Sequence, residues 1–513
     1  MHATHDYLPP RVYDGDQVAA LDRRFIEEFG ATSQALMQRA ARAVYAELAE
    51  AWPMPGRMII FAGPGNNGAD AALIGEIAHT GGWDVRLVAP LGLDGISAAA
   101  RTAFDRYRDA VGEIVGFDDI PVTCDLIIDG LFGIGVNREV TGDGARAIAR
   151  INEASARGTG VLSVDIPSGL DATTGRVHGT AVKASRTVTF IGLKIGLMSA
   201  DGPAHSGELA FHDLDAPDAL YADQPYRARR IAHRDLRHVL PARARSAHKG
   251  DNGHVLCLGG DRGLGGAIRM TAEAALRSGA GLTSVVCHPD HAGAMSQARP
   301  ELMCLGLEAG NGSDMRLETM MGAASVIAIG PGLGAAADDP EAAPAFGDTL
   351  YEHALQADAT LVVDADALNR LARAPQQRGN WILTPHPGEA ARLLECDVAD
   401  ILADRIGSAR RLAERYTAVV VLKGAGSLVA TPGEMWLCSQ GNPGMAVGGM
   451  GDVLTGVIAA LVAQGLSLAD AAMAGTYVHA LAGDATADLI GERGMLPSDV
   501  IARLPGELNP VAR

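Results

Sequence analysis

The sequence has fewer basic than acidic residues, no closely spaced pair of cysteines and no long apolar run. Each of these shortages excludes a class of protein. Only four of the 43 basic residues are lysine, and 61 acidic residues give a net charge of −18, which argues against nucleic acid or an anionic membrane as partner. The six cysteines form no C-x-x-C pair, so neither a zinc site nor a disulfide framework is indicated. No apolar run reaches the roughly 18 residues of a membrane span, and no signal-peptide pattern begins the chain. We expect a soluble cytoplasmic protein.

The apolar content is sufficient for two domains. The 513 residues are 48% hydrophobic, and in both halves short strand-like runs alternate with helical stretches, which predicts two α/β domains with parallel, helix-covered sheets. Residues 216–245 lose this periodicity and accumulate proline and arginine. We predict a first domain over residues 1–220, a linker over 221–239 and a second domain over 240–513. A basic RNA-binding patch is the alternative for the arginine-rich segment, and it is disfavoured because the only interleaved aromatic residues are Tyr221 and Tyr226.

The most distinctive stretch is GNPGMAVGGMGDVLTGVIAA at residues 441–460, where five glycines precede an apolar helix predicted to start near Asp452. Glycines let the backbone approach a phosphate, and a helix N-terminus attracts anions. A carboxylate at that place is a poor anion ligand but a good general base. We therefore interpret Asp452 as catalytic, with helix capping as the alternative.

In the first half, a predicted strand runs into the loop GPGNNGAD at residues 63–70. This loop contains G-x-G-x-x-G, but the next strand ends in proline and lacks the acidic residue that a dinucleotide-binding domain places on the ribose. A hydride-transfer domain is therefore disfavoured. Because parallel strands end at one edge of a sheet, Asn67, Asp129 and Ser168 are predicted to converge as oxygen ligands of a cation, with turn or cap formation as the alternative. A later strand brings Lys194 to this edge.

The segments GNNGAD, DGLFGIGVNRE and VDIPSG resemble those of the NAD(P)H-hydrate epimerases, over about residues 15–215. The resemblance implies a Rossmann-like domain that interconverts the R and S hydrates NADHX and NADPHX, with a potassium ion on Asn67, Asp129 and Ser168. Asp165 and Lys194 are the catalytic candidates, and which residue moves the proton is open. The residues that match the family's substrate contacts are Asn66, Asn67, Gly68, Ala69, Asp70, Gly133, Ile134, Gly135, Val136, Asn137, Arg138, Glu139 and Asp165.

Glycine-rich and charged groups also follow the predicted strands of the second half. His386 stands between two prolines, which would hold its imidazole in one direction, although a structural histidine is the alternative. Lys423 opens the segment KGAGS, where an ammonium beside glycine amides suits a polyphosphate. The segment is not a P-loop, because the chain contains no Gly-Lys dipeptide.

The motifs GGxxGxxGA, GPGLG, TPHPGE, KGAGS and GNPGMAVGGMGD are similar, in this order, to those of the ribokinase-like NAD(P)H-hydrate dehydratases, over about residues 240–505. The resemblance implies a ribokinase-like α/β domain that phosphorylates the S hydrate and expels phosphate, which restores NADH or NADPH. Enzymes fused in this order resemble the prokaryotic type, which uses ADP and forms AMP, and magnesium is expected with the nucleotide. The matching substrate contacts are Ala267, Gly332, His386 and Asp452, and the matching ADP contacts are Lys423, Gly424, Ala425, Gly426, Ser427 and Gly451.

Both halves together imply a bifunctional repair enzyme, in which one site supplies the S form that the other consumes, and a homo-oligomer is expected. A ribokinase-like kinase for a vitamin precursor is a second possibility, but it leaves the first half unexplained. A nucleotide-sensing adaptor is a third, and the retention of Asp129, Asp165, Lys194 and Asp452 counts against it.

Overall fold

The structure of the protein is a computed structural model that describes residues 7–117, 123–308, 314–335 and 345–509. It divides into two compact units, His5–Arg229 and Arg230–Arg513. None of the helices in the described ranges combines the length and apolar character needed to cross a membrane.

The first unit is built on a parallel sheet. The strands up to the unit boundary are β1 (Arg11–Tyr13), β2 (Arg57–Ala62), β3 (Asp84–Val88), β4 (Leu126–Gly130), β5 (Gly160–Val164), β6 (Arg186–Phe190), β7 (Leu193–Lys194), β8 (Glu208–His212) and β9 (Ala228–Arg230). The sheet has the order β3-β2-β4-β5-β6-β8, with every neighbouring pair parallel. Its central strands are buried along nearly their whole length, which is why they read as continuous apolar runs and could be predicted.

Helices cover this sheet, and two of them precede the first glycine loop. The helices are α1 (Gly15–Glu27), α2 (Ser33–Ala51), α3 (Asn66–Thr80), α4 (Ala98–Ala110), α5 (Gly142–Ala156), α6 (Gly202–Ser206) and α7 (Asp218–Tyr221). Gly30 adopts a φ of 73° between α1 and α2, a conformation that favours glycine. The chain therefore breaks between these two helices at Gly30.

The second unit has a larger, mixed sheet. Its strands are β10 (His254–Leu258), β11 (Leu282–Cys287), β12 (Met303–Gly306), β13 (Val326–Ile329), β14 (Thr360–Val363), β15 (Trp381–Leu383), β16 (Val419–Leu422), β17 (Ser427–Ala430) and β18 (Met435–Cys438). The order is β12-β11-β10-β13-β14-β15-β16-β17-β18. The prediction of a wholly parallel sheet is wrong at one edge, because β16, β17 and β18 pair antiparallel. Gly424 and Gly426, with φ of 139° and 66°, turn the chain back between β16 and β17.

Helices lie around this second sheet as well. They are α8 (His233–Val239), α9 (Gly265–Arg277), α10 (Pro289–Ala298), α11 (Met315–Ala323), α12 (Phe346–Gln356), α13 (Ala365–Arg373), α14 (Pro387–Leu394), α15 (Val398–Ala403), α16 (Arg405–Tyr416), α17 (Met450–Ala463), α18 (Leu468–Ile490) and α19 (Pro497–Leu508). The segment 221–239, interpreted from its sequence as a linker, thus contains β9 and α8. The apolar helix predicted near Asp452 is α17, which packs against α9, α18, β13 and β14. Its N-terminus is thereby fixed beside the ends of the central strands.

Two candidate active sites

A cavity of about 630 Å³ opens at the carboxyl ends of the strands of the first unit. The predicted residues that line it are Asn66, Asn67, Asp70, Gly133, Ile134, Gly135, Val136, Asp165 and Lys194. Gly68 and Ala69 are buried behind this lining in the first turn of α3. Asn137, Arg138 and Glu139 are exposed and do not line the cavity. The structure therefore brings together most, but not all, of the residues predicted to contact the substrate.

The glycines of the loop between β2 and α3 serve two different purposes. A Cβ on Gly63 would lie 1.9 Å from the Leu131 carbonyl oxygen, and one on Gly68 would lie 1.9 Å from the Gly63 carbonyl oxygen. These two glycines allow close backbone packing. A Cβ on Gly65, which precedes α3, would have no atom within 4 Å, so only Gly65 leaves space open towards the cavity.

This difference predicts opposite results for two alanine substitutions. Gly68→Ala should destabilise the first unit by about 1–3 kcal/mol or more, because the added methyl group overlaps the backbone. Gly65→Ala has an unstrained φ of −89° and should leave the melting temperature nearly unchanged. Thermal unfolding of both variants is the measurement, and equal melting temperatures would contradict the packing role of Gly68.

Asp129 is the centre of a buried polar cluster. It accepts hydrogen bonds from the Ser163 hydroxyl at 2.8 Å and from the Ser168 amide and hydroxyl at 2.9 and 2.5 Å. Burial raises the pKa of Asp129, and these donors oppose the rise. The Asn67 amide nitrogen donates to the Phe132 carbonyl at 2.8 Å, so its Oδ1 points elsewhere. That Oδ1 is buried and has no hydrogen-bond partner among the described residues.

Asp165 and Lys194 form an ion pair at the same edge. Lys194 is fully buried and donates to Asp165 Oδ1, to the Thr189 hydroxyl at 2.9 Å and to the Phe190 carbonyl at 3.1 Å. Asp165 follows β5 with a φ of 66°, a strained value for a residue other than glycine. The hydrogen bonds that its side chain accepts from the described residues all go to Oδ1, and the residue lines the cavity. The Asp165 carboxylate is therefore held in a fixed position next to the Lys194 ammonium, which can donate a proton.

The structure adds Asp22, which sequence reasoning missed. Asp22 lines the cavity from α1, and burial raises its pKa to about 6, with Lys194 opposing and Asp165 adding to the rise. Asp70 Oδ1 is buried and has no hydrogen-bond partner in the described part of the chain, and burial, Asp165 and Asp22 raise the Asp70 pKa well above its ordinary value. Asp22 and Asp70 therefore both lie in the field of Asp165, and the ammonium of Lys194 offsets it at Asp22. The available signal was an acidic residue beside Val18, Leu21 and Phe25 on the buried stripe of α1.

In the second unit, Lys423 lies among carboxylates. Its ammonium donates to Asp364 Oδ1 at 2.7 Å and lies 3.8 Å from Glu389. The Thr455 hydroxyl donates to the other oxygen of Asp364 at 2.8 Å. Burial alone would raise the pKa of Asp364, but the charge and hydrogen bond of Lys423 hold it below the ordinary value. Nothing in the sequence indicates that Asp364 and Glu389 contact Lys423.

Asp452 is the third residue of α17, and the cap position belongs to Gly449, which has a φ of 99°. The capping alternative is therefore not supported. Burial raises the pKa of Asp452 to about 7, the charge of Asp364 adds to the rise, and Lys423 opposes it. A carboxyl group with such a pKa can accept a proton at neutral pH.

The other predicted dehydratase residues lie around this helix start and on the neighbouring strand ends. A Cβ on Gly451 would be 3.1 Å from Lys423 Nζ, and a Cβ on Gly332 would be 3.3 Å from Ala267 Cβ. The remaining predicted ADP contacts, Ala425 and Ser427, lie in or beside the turn between β16 and β17.

His386 has a structural role in the fold. It precedes α14, and its Nδ1 accepts from the Gly388 amide at 2.9 Å. Glu389 accepts from the His386 amide at 2.7 Å, which completes a reciprocal cap. The imidazole is half exposed, and its Nε2 lies 3.5 Å from Glu389 Oε1.

Comparison with known proteins agrees with both halves of this description. Residues 33–196 match the family described as YjeF-related protein N-terminus, and residues 255–506 match the family described as NAD(P)H-hydrate dehydratase. A bifunctional NAD(P)H-hydrate repair enzyme from Coxiella burnetii is 40% identical over 501 residues, covering 97% of this chain and 99% of the relative. Another from Escherichia coli is 39% identical over 505 residues, covering 98% and 95%.

Among solved structures, the ADP/ATP-dependent NAD(P)H-hydrate dehydratase from Bacillus subtilis, co-crystallised with ATP and Mg²⁺, is similar to 54% of this chain. It is 26% identical, with 97% of its own length covered and a TM-score of 0.46. The two units and their polar strand ends define a two-domain α/β enzyme of nucleotide metabolism. The chain belongs to the family of bifunctional NAD(P)H-hydrate repair enzymes.

Proposed function

We propose that residues 240–513, which lie within the second unit, dehydrate the S hydrate of NADH or NADPH at the expense of ADP. The substrate hydroxyl attacks the terminal phosphorus of ADP and AMP leaves. Phosphate then departs from carbon as the ring nitrogen supplies its electron pair. Loss of a proton from the neighbouring ring carbon forms the carbon–carbon double bond and restores the reduced nicotinamide. Asp452 carries this proposal, because its carboxyl group lies at the start of α17, where free backbone N–H groups can hold the transferring phosphate.

The requirement for a nucleotide tests this reaction directly. The purified S hydrate should return to NADH or NADPH only when ADP is added, with one AMP and one phosphate formed for each molecule repaired. Repair without nucleotide, or repair that leaves ADP intact, would contradict the phosphoryl-transfer step.

The first domain, predicted over residues 1–220, is the epimerase in this proposal. Epimerising a carbon that bears a hydroxyl beside a ring nitrogen needs a base and an acid, not a redox cofactor. Asp165, which lines the cavity, is the base candidate, and Lys194 holds its Oδ1. NADHX or NADPHX of either configuration would bind in the cavity, beside Asp165 and Lys194. The product of this site is then the substrate of the second.

A potassium ion fits the cluster around Asp129. The buried Oδ1 of Asn67 has no partner in the described structure, while Asp129 and Ser168 supply further oxygen atoms nearby. Oxygen donors of this kind suit a hard monovalent cation. Bound there, the ion would supply positive charge to the phosphates or hydroxyls of the substrate.

We expect Asp129→Asn to remove the dependence of epimerisation on potassium. The parent protein should lose activity when potassium is exchanged for tetramethylammonium, whereas the variant should be slow in both salts. Dehydration of purified S hydrate is the internal control and should not respond to Asp129→Asn. Equal epimerisation by the parent in both salts would contradict a potassium site.

Magnesium, unlike the proposed potassium ion, has no preformed binding site among the described residues. The described residues contain no group of three acidic, histidine or cysteine ligands placed to hold a metal, and the oxygens of Asp364 are engaged by Lys423 and Thr455. Magnesium often keeps several waters and binds mainly through substrate phosphates. We therefore expect it to arrive with ADP.

The pKa of Asp452 predicts the pH dependence of dehydration. The base must be ionised, and burial raises its pKa to about 7. The rate with saturating S hydrate and ADP should rise with pH up to about 7 and then level off. A rate independent of pH between about 5 and 8 would contradict the assignment of Asp452 as the base.

A further inference from the structure

Acidic side chains surround the only lysine of the loop that is proposed to bind ADP. Its lysine, Lys423, is paired with Asp364 at 2.7 Å and lies 3.8 Å from Glu389. Asp452 adds a further acidic group to the same surroundings. Lys423 is therefore already neutralised, and the positive charge that a nucleotide phosphate needs has to come from elsewhere.

Arg405 provides such a charge beneath the turn between β16 and β17. It is the first residue of α16 and is only 5% exposed. Its Nη2 donates to the Gly426 carbonyl at 2.9 Å, and Nη1 lies 2.5 Å from the position of a Cβ on Gly424. The guanidinium thus touches both glycines that shape this turn.

This guanidinium has few partners for a buried cation. Its Nε is buried without a hydrogen-bond partner, and no carboxylate of the described residues forms an ion pair with Arg405. Burial lowers the pKa of Arg405 to about 10, so the group remains charged at neutral pH. A buried charge is retained only where something compensates it. The single carbonyl acceptor is weak compensation for five donors.

We propose that Arg405 is a positioning residue of the nucleotide site, which holds the Gly424–Gly426 turn and supplies the counter-charge for a phosphate of ADP. Arginine suits this role because its planar fork can hold a carbonyl on one side while its charge acts on an anion at the other. The inference rests on the proposed function of the second unit. Bound ADP would in turn compensate the buried guanidinium.

The test compares ligands that differ only in phosphate. In the full chain, Arg405→Met should weaken binding of ADP by about 10- to 100-fold, and AMP should be weakened as well. Adenosine, which has no phosphate, should bind within a few-fold of the parent. Isothermal titration with each ligand gives the three affinities, and epimerase activity of the same sample reports the folded state of the first unit.

Two further variants complete the test. Arg410→Met removes an exposed arginine from the same helix and should bind all three ligands like the parent. Arg405→Lys keeps a charge without the planar fork and should lose less ADP affinity than Arg405→Met; it also serves as the test if the methionine variant does not fold.

The outcomes are distinct. Equal weakening of ADP and adenosine by either Arg405 variant would show a purely structural role and overturn the inference, as would unchanged ADP affinity. If the parent chain itself failed to bind ADP, the proposed function would fall, and this inference with it.

Discussion

Asp452→Asn is expected to lower the rate of dehydration about 100- to 10,000-fold, the usual range for loss of a general base, while the protein stays folded and binds ADP. The amide has nearly the size of the carboxylate but cannot take the proton of the attacking hydroxyl. The cap of α17 is provided by Gly449, so the substitution leaves the start of the helix intact. The substitution removes a negative charge next to Asp364, and removing this like-charge repulsion does not destabilise the site.

The control for this variant is Asp470→Asn. Asp470 occupies the same third position in the first turn of α18, but it lies on the surface and pairs with the Ser467 hydroxyl at 2.6 Å. The Asp470→Asn variant should dehydrate the substrate at the parent rate. A rate for Asp452→Asn within a few-fold of the parent, measured on a sample with normal ADP affinity, would show that Asp452 is not the base.

Asp165→Asn is expected to lower epimerisation by a comparable factor of about 100 to 10,000, with dehydration of pure S hydrate unchanged. Asparagine tolerates the positive φ of this position better than most residues do. Its amide oxygen can still accept a hydrogen bond from Lys194, so the buried ammonium keeps a partner. The measured loss then reports the chemistry of the carboxylate.

Asp143→Asn is the matched control, because Asp143 is an exposed aspartate at the start of α5. It should leave both activities at the parent level. If Asp165→Asn epimerised at a rate near that of the parent, the proton would have to be moved by another cavity group. Asp22 and Asp70 are then the carboxyl groups to test.

Much of the first unit could be read from its sequence because neighbouring residues determine it. The strand, glycine loop and helix around residues 63–70 are consecutive in the chain, and the convergence of Asn67, Asp129 and Ser168 follows from parallel strand order. Asp22 could not be found in this way. Its position in the cavity depends on how α1 packs, and its sequence neighbourhood is that of an ordinary amphipathic helix.

The second unit shows the same limit more clearly. The glycine-rich start of α17 marked Asp452, but the partner of Lys423 lies 59 residues away in the chain. Nothing local distinguishes a lysine that meets a phosphate from one that meets a carboxylate. The antiparallel edge was missed for a related reason, because the pairing of β17 depends on two glycine φ angles that the strand pattern does not reveal.

The central claim is that two separate sites in one chain act in sequence on the same damaged nucleotide. The most direct test gives a racemic hydrate mixture, with ADP and potassium, to each variant alone and to the two variants mixed. Recovery of the nicotinamide absorbance is measured before spontaneous epimerisation contributes. Asp452→Asn alone should repair essentially nothing, and Asp165→Asn alone should stop when the S half is consumed. Their mixture should repair everything, because each retains the site that the other lacks. A mixture that stops where Asp165→Asn alone stops would contradict two independent sites.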